Sequence, residues 1–151
     1  MDSLTQLALG AAVGEATAGR QIGRRALLWG AVCGTLPDLD VFINSNEDPL
    51  LFLEYHRQFT HSLVFIPVGA FIASLILWPF MRQKLSFGWL YLFCLLGFSS
   101  AGILDACTSY GTQLLWPFSD ERIAWNLLAI IDPVFTLGLL IAVITGWLNR
   151  K

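Results

Sequence analysis

Apolar residues fall in five runs along the chain, at positions 4–19, 26–36, 62–81, 86–105 and 124–148, and most of the charges lie between them. The last three runs reach the roughly 20 residues that a helix needs to cross a hydrocarbon core of about 30 Å. The first two are shorter and rest on small residues, in Gly10-Ala11-Ala12-Val13-Gly14 and Gly30-Ala31-Val32-Cys33-Gly34. Glycine and alanine let helices approach closely, so these two runs predict either short spans packed on their neighbours or a re-entrant hairpin. The pattern predicts an all-α integral membrane bundle of about five apolar helices, three long and two short, in a single domain over residues 1–151.

Composition agrees with this reading. Hydrophobic residues make up 56% of the chain, charged residues 13%, and the mean hydropathy is +0.64, far from the balance of a water-soluble domain. A net charge of -2, with no basic cluster interleaved with aromatics, leaves no footing for nucleic-acid binding. The three cysteines, Cys33, Cys94 and Cys107, have no CxxC spacing, and two of them sit inside apolar runs as small hydrophobes. No basic residue precedes the first run, and Met1-Asp2 makes an acidic start, so that run reads as a retained segment and not as a cleaved leader.

If all five runs cross, the charges orient the bundle. Arg20, Arg24, Arg25, Arg82, Lys84, Arg150 and Lys151 then share one side, expected to be cytoplasmic. Arg57 and Arg122 fall on the other side with Asp2, Asp38, Asp40, Glu47, Asp48, Glu54, Asp120 and Glu121, and Asp105 and Asp132 lie near the same helix ends. That outer, periplasmic side also takes both histidines of the chain, His56 and His61.

The candidate chemistry gathers there. Pro37 ends the second run, which puts Asp38 and Asp40 at a helix end or in the loop beyond, either as a solvated turn or as two carboxylates sharing a cation. His56 and His61 are five residues apart and would lie well separated around one helix, so at least one is expected off regular helix. Thr60 or Ser62 is a natural N-cap for the third run, placing His61 in its first turn and His56 in the loop before it. Neutral imidazoles beside several carboxylates form the usual ligand set for zinc, manganese or iron. Asp105 closes the fourth run, where an ionisable group is costly unless paired, hydrated or metal-bound. Asp132 sits inside the fifth run before Pro133, either as a ligand or as a group that satisfies a proline kink. Glu15, flanked by Gly14 and Ala16, is open to three roles: partner of Arg57, support for a ligand, or catalytic carboxylate.

Four ordered elements carry a resemblance: Met1-Asp2-Ser3-Leu4-Thr5 with Gly10 and Gly14-Glu15; Gly34-Thr35-Leu36-Pro37-Asp38-Leu39-Asp40; His56-Arg57-Gln58-Phe59-Thr60-His61-Ser62; and Asp105-Ala106-Cys107-Thr108-Ser109-Tyr110-Gly111-Thr112 with Trp116-Pro117-Phe118-Ser119. Together they resemble the YdjM-like family of bacterial inner-membrane proteins, described as membrane-bound metal-dependent hydrolases. The family is remotely similar to the zinc-dependent phospholipase C and P1 nuclease group. The resemblance implies a hydrolase holding a divalent metal, zinc first, at the periplasmic membrane face. Its ligands would be His56, His61, Asp38, Asp40 and Asp105, with Asp132 and Glu15 as outer candidates. Arg57 would hold an anionic group of a lipid or phosphoester substrate. Two departures accompany it: Gln6 stands where some relatives carry a histidine, and similar chains continue beyond the position of Asn149-Arg150-Lys151. The rival readings are an ion or solute transporter subunit and a noncatalytic assembly protein with a structural metal.

Overall fold

The computed structural model describes residues 1–43 and 55–150. Glu47, Asp48, Glu54 and Lys151, all used in the charge pattern above, lie outside the described residues. Five α-helices make up the bundle among those residues: α1 (Ser3–Ile22), α2 (Arg25–Thr35), α3 (Phe65–Met81), α4 (Phe87–Ala106) and α5 (Pro133–Asn149). Two 3₁₀ segments, Leu36–Phe42 and Phe59–His61, occupy the connection between α2 and α3. The described residues contain no strand, only two isolated bridges, Thr108 with Leu128 and Thr112 with Ile123.

Each helix starts and stops for a local reason. Asp2 caps α1 by accepting from the Thr5 amide at 3.0 Å, and Gly23, at φ 61°, ends it in the left-handed region that glycine adopts without strain. Pro37 falls in the first turn of the 3₁₀ segment that follows α2, where its missing N–H costs nothing. Ser86 caps α4, a helix of 20 residues that is long and apolar enough to cross a membrane. α3 and α5 are apolar but 17 residues long.

Three expectations about boundaries need correction. The first run forms a helix of 20 residues, as long as α4, because Ser3 at its start and Arg20, Gln21 and Ile22 at its end continue the helix beyond the apolar run. The third run becomes helical only at Phe65: Ser62 is extended, and its hydroxyl accepts from the Phe65 amide, so His61 lies before the helix in a 3₁₀ turn and not in its first turn. The fifth run is not one helix. Residues 124–131 run in irregular backbone, and Pro133 begins α5 at its first position, where it is preorganised, instead of kinking it.

α1 and α2 form an antiparallel hairpin whose backbones touch. A methyl added at Gly14 would sit 2.3 Å from the Ala26 carbonyl oxygen, and one at Gly10 would sit 2.5 Å from the Gly30 carbonyl oxygen. α4 closes on the pair through Gly97, which lies against Cys33. Phe93, Leu90, Cys33 and Cys94 form the buried centre, with the Cys33 and Cys94 sulfurs 3.7 Å apart. The outward faces are the reverse of a soluble protein's. Ile72, Leu75 and Ile76 of α3 and Val134, Leu137, Ile141 and Leu148 of α5 are all exposed, a surface suited to hydrocarbon.

The connections alternate between two ends. Arg20 and Gly23 of the α1–α2 turn, Lys84 of the α3–α4 turn and Arg150 line one shared cavity. Met1, the 3₁₀ segments and residues 107–132 gather at the other end, where the Asp2 amide donates to the Ile130 carbonyl at 3.1 Å. The grouping of cations away from most acids is therefore a property of the fold.

The glycine contact yields a direct expectation. Gly14→Ala should destabilise the protein in detergent by about 1–3 kcal/mol through forced separation of α1 and α2. Gly138→Ala, where an added methyl meets nothing within 4 Å, should be neutral or stabilising by about 0.5–1 kcal/mol. Thermal unfolding of the two variants beside the parent checks both.

Candidate metal centre

At the acidic end, three of the anticipated side chains converge. One ligand atom each from Asp38, His61 and Asp105 lie within 4.8 Å of one another. His61 Nε2 stands 3.3 Å from Asp38 Oδ1 and 3.1 Å from Asp105 Oδ2. His61 and Asp105 are fully buried, whereas Asp38 keeps 22% of its side chain exposed and forms the accessible edge. Asp38 arrives on the 3₁₀ segment that Pro37 starts, His61 on the second 3₁₀ turn, and Asp105 on the last turn of α4.

The surroundings decide what His61 offers. The Thr60 hydroxyl donates its single proton to Asp40 Oδ2 at 2.8 Å, so toward His61 Nδ1, 2.9 Å away, it can only accept. A neutral His61 therefore carries its proton on Nδ1 and turns the Nε2 lone pair toward Asp38 and Asp105. This is the arrangement in which an outer carboxylate orients a metal-binding imidazole, here through a hydroxyl. Asp40 also accepts from the Arg57 amide at 2.8 Å and meets His56 Nδ1 at 2.9 Å. Burial pushes the Asp40 carboxyl up, but these hydrogen bonds and the His61 charge win and hold it below the usual carboxylate range.

Asp105 is held from the other side. Arg57 Nε and Gln6 Nε2 each lie 3.1 Å from its Oδ2, and the Met1 amine pairs with its Oδ1. Arg57 reaches this position from a left-handed backbone, φ 59°, an uncommon conformation for a side chain of its size. Its Nη2 also donates to the Met1 carbonyl at 3.0 Å, and its guanidinium carbon lies 5.0 Å from the centre of the Tyr110 ring.

A divalent cation fits these residues. Among the described residues Gln6 Oε1 is buried without a hydrogen-bond partner, and the two carboxylates that meet His61 Nε2, at 3.1 and 3.3 Å, offer a cation the place of the proton between them. Two carboxylates and an imidazole are also a donor set that suits zinc, manganese or iron.

Not every anticipated residue joins the cluster. His56 and Asp40 stand one step outside it, as the partners that orient His61. Arg57 is engaged by Asp105 and Met1, so it positions a ligand and does not stand ready for an anion. Asp132 caps α5, accepting from the Val134 and Phe135 amides at 3.1 and 3.0 Å. Glu15 pairs with Arg150 at 2.5 Å; nine residues along α1 from Gln6, it is roughly 13 Å from the cluster's end of that helix. Thr60, Tyr110 and Gln6 complete the site. Gln6 had figured only as a missing histidine, but at 1% exposure its carboxamide is part of the cluster wall.

The family model described as YdjM inner membrane protein matches residues 1–151. The chain belongs to that family. Inner membrane protein YbcI of Escherichia coli (strain K12) is 31% identical over 131 residues, which cover 84% of this chain and 75% of YbcI. Uncharacterized protein YfhP of Bacillus subtilis (strain 168) is 29% identical over 150 residues, 95% of this chain but 45% of YfhP, so the chain spans less than half of that relative. No solved structure matches. The YdjM assignment gives the inner membrane as location, in keeping with the apolar outward faces of the bundle.

The His61 environment sets a pH response for this YdjM-family chain. Burial disfavours the imidazolium, but hydrogen bonds and charge from Asp105 and Asp38 outweigh it and raise the pKa to about 9 from 6.5. A raised folded-state pKa gives stability that is fully present below pH 6.5 and lost as pH climbs through about 9. In chelator, thermal stability should therefore fall over that interval by on the order of 3 kcal/mol. His61→Gln should flatten the profile, as melts at a series of pH values will report.

Proposed function

We propose that this chain is a multi-pass inner-membrane hydrolase that uses a divalent metal, zinc before manganese or iron, on a phosphoester or lipid ester at the periplasmic face. The observation that carries the reading is the convergence of Asp38 Oδ1 and Asp105 Oδ2 on the buried His61 Nε2. The positive-inside rule, applied to the end bearing Arg20, Lys84 and Arg150, supports the orientation.

Asp38, His61 and Asp105 would hold the metal. When bound, a divalent ion supplies Lewis acidity, polarising a phosphoryl or acyl oxygen and making water nucleophilic near neutral pH. The protein's own part is positioning. Thr60 and Asp40 keep the proton on His61 Nδ1, and Arg57, Gln6 and the Met1 amine stop Asp105 from turning away. Asp38, partly exposed, leaves an approach for substrate and water. His56, hydrogen-bonded to Asp40 and 18% exposed, is an imidazole that could accept a proton outside the cluster. A conduction role fits less well: among the described residues, the acidic group placed with the cations of the opposite end is Glu15, which is paired with Arg150.

The test is turnover by purified protein in phospholipid vesicles, supplied in turn with zinc, manganese and ferrous iron, with release of headgroup or fatty acid followed. His61→Ala should lower the rate by more than about 100-fold, and Thr60→Val, which removes only the hydroxyl behind Nδ1, by about 10–100-fold. Turnover that survives His61→Ala unchanged would sink the proposal.

A further inference from the structure

A groove of about 340 Å³ runs down the outside of α3 from the site end of the bundle. Leu36 and Leu39 of the first 3₁₀ segment form one wall and Ile72 and Ile76 of α3 the other. Phe98 of α4 forms the floor. Gly69 permits this, since a methyl there would sit 2.6 Å from the Phe98 ring. The α3 residues that line the groove, Phe65, Gly69, Ile72, Ala73 and Ile76, form one stripe along that helix. From Phe65 to Ile76 the stripe descends roughly 16 Å, close to the ~15 Å depth of one bilayer leaflet.

The groove's polar groups are confined to its head. They are Asp40 and Thr60, the two residues that orient His61, and Pro37 beside them leads into Asp38. An apolar slot of leaflet depth with Asp40 and Thr60 at its head, next to the Asp38–His61–Asp105 cluster but not lined by it, matches an amphipath that stands upright in the membrane. The second apolar groove of the bundle, about 220 Å³ between α1, α2 and α5 and lined by Leu7, Leu140 and Val143 among others, has no polar residue in its lining. It serves as the internal comparison for lipid that merely coats the protein.

We propose that the α3 groove holds one acyl chain of a phospholipid from the same leaflet, which places the lipid's polar end at Asp40 and Thr60, beside the Asp38–His61–Asp105 cluster. The destination of the headgroup rests on the hydrolase reading; occupancy of the groove does not.

The experiment uses the full chain in nanodiscs of phosphatidylethanolamine and phosphatidylglycerol containing a small fraction of phosphatidylethanolamine with a diazirine at mid-chain. After illumination, adducts are mapped by peptide mass spectrometry. Adducts should concentrate on Leu39, Ile72 and Ile76 over Leu140 and Val143. Ile72→Trp, made at a half-exposed position, should reduce groove adducts several-fold and leave those at Leu140 and Val143 unchanged. Ile76→Trp, one turn deeper, gives the same reading if the first variant fails to fold. Equal labelling of both grooves, insensitivity to the tryptophan, or protein–protein adducts in place of lipid at these residues overturns the proposal. Groove labelling that persists in a His61→Ala protein without turnover supports the groove whatever becomes of the hydrolase. Turnover in the absence of groove enrichment retains the hydrolase and discards the groove.

Discussion

A carboxylate without solvent, Asp105 on the last turn of α4, is the constraint around which this end of the molecule is arranged. Such a charge at the end of an apolar helix is strongly destabilising unless it is compensated on every side. The compensation comes from separate stretches of chain: the Met1 amine, Gln6 on α1, and Arg57 and His61 before α3. Satisfying one buried charge therefore fixes three segments relative to α4. The glycine contact between α1 and α2 adds the fourth, because it sets where α2 ends and hence where Pro37 delivers Asp38 and Asp40.

The same arrangement separates ligands from their supports. Asp38, His61 and Asp105 face one point, while Thr60, Asp40 and His56 form a chain of hydrogen bonds leading away from the far nitrogen of His61. In the metal-free protein a proton on His61 answers the two carboxylates. A metal bound there would compete with that proton for one lone pair, which would tie occupancy of the site to pH and to folding. Placing this cluster at the end of the bundle, and not midway along it, keeps the buried charge within reach of solvent through the partly exposed Asp38.

Much of this was legible in residue types and their order. Five apolar runs gave five helices, and the spread of arginine and lysine anticipated which connections share an end. Asp105 stood out because an ionisable residue at the end of an apolar run is expensive, Asp38 as one of two carboxylates after Pro37 and His61 as one of two clustered histidines, with Asp40 and His56 ranked beside them. Periodicity failed where polar residues carry local structure. Asp132 before Pro133 reads as a ligand or as a group that satisfies a kink within a helix, and it is instead the cap of a new helix because its carboxylate satisfies two free amides. Glu15 looked like site chemistry only while its distance along α1 was unknown. Ordering among the ligands was invisible too, because which of His56 and His61 is buried depends on the left-handed turn at Arg57 and on the Thr60 hydroxyl. Gln6, one turn into α1, carries no motif signal beyond its polarity in an apolar run.

The central claim is that Asp38, His61 and Asp105 form one metal centre, and metal content tests it most directly. Protein purified in detergent under metal-replete conditions should hold near-stoichiometric divalent metal by inductively coupled plasma mass spectrometry. A folded Asp38→Asn/Asp105→Asn variant should hold little. Equal metal in both, or none in the parent, would contradict the account.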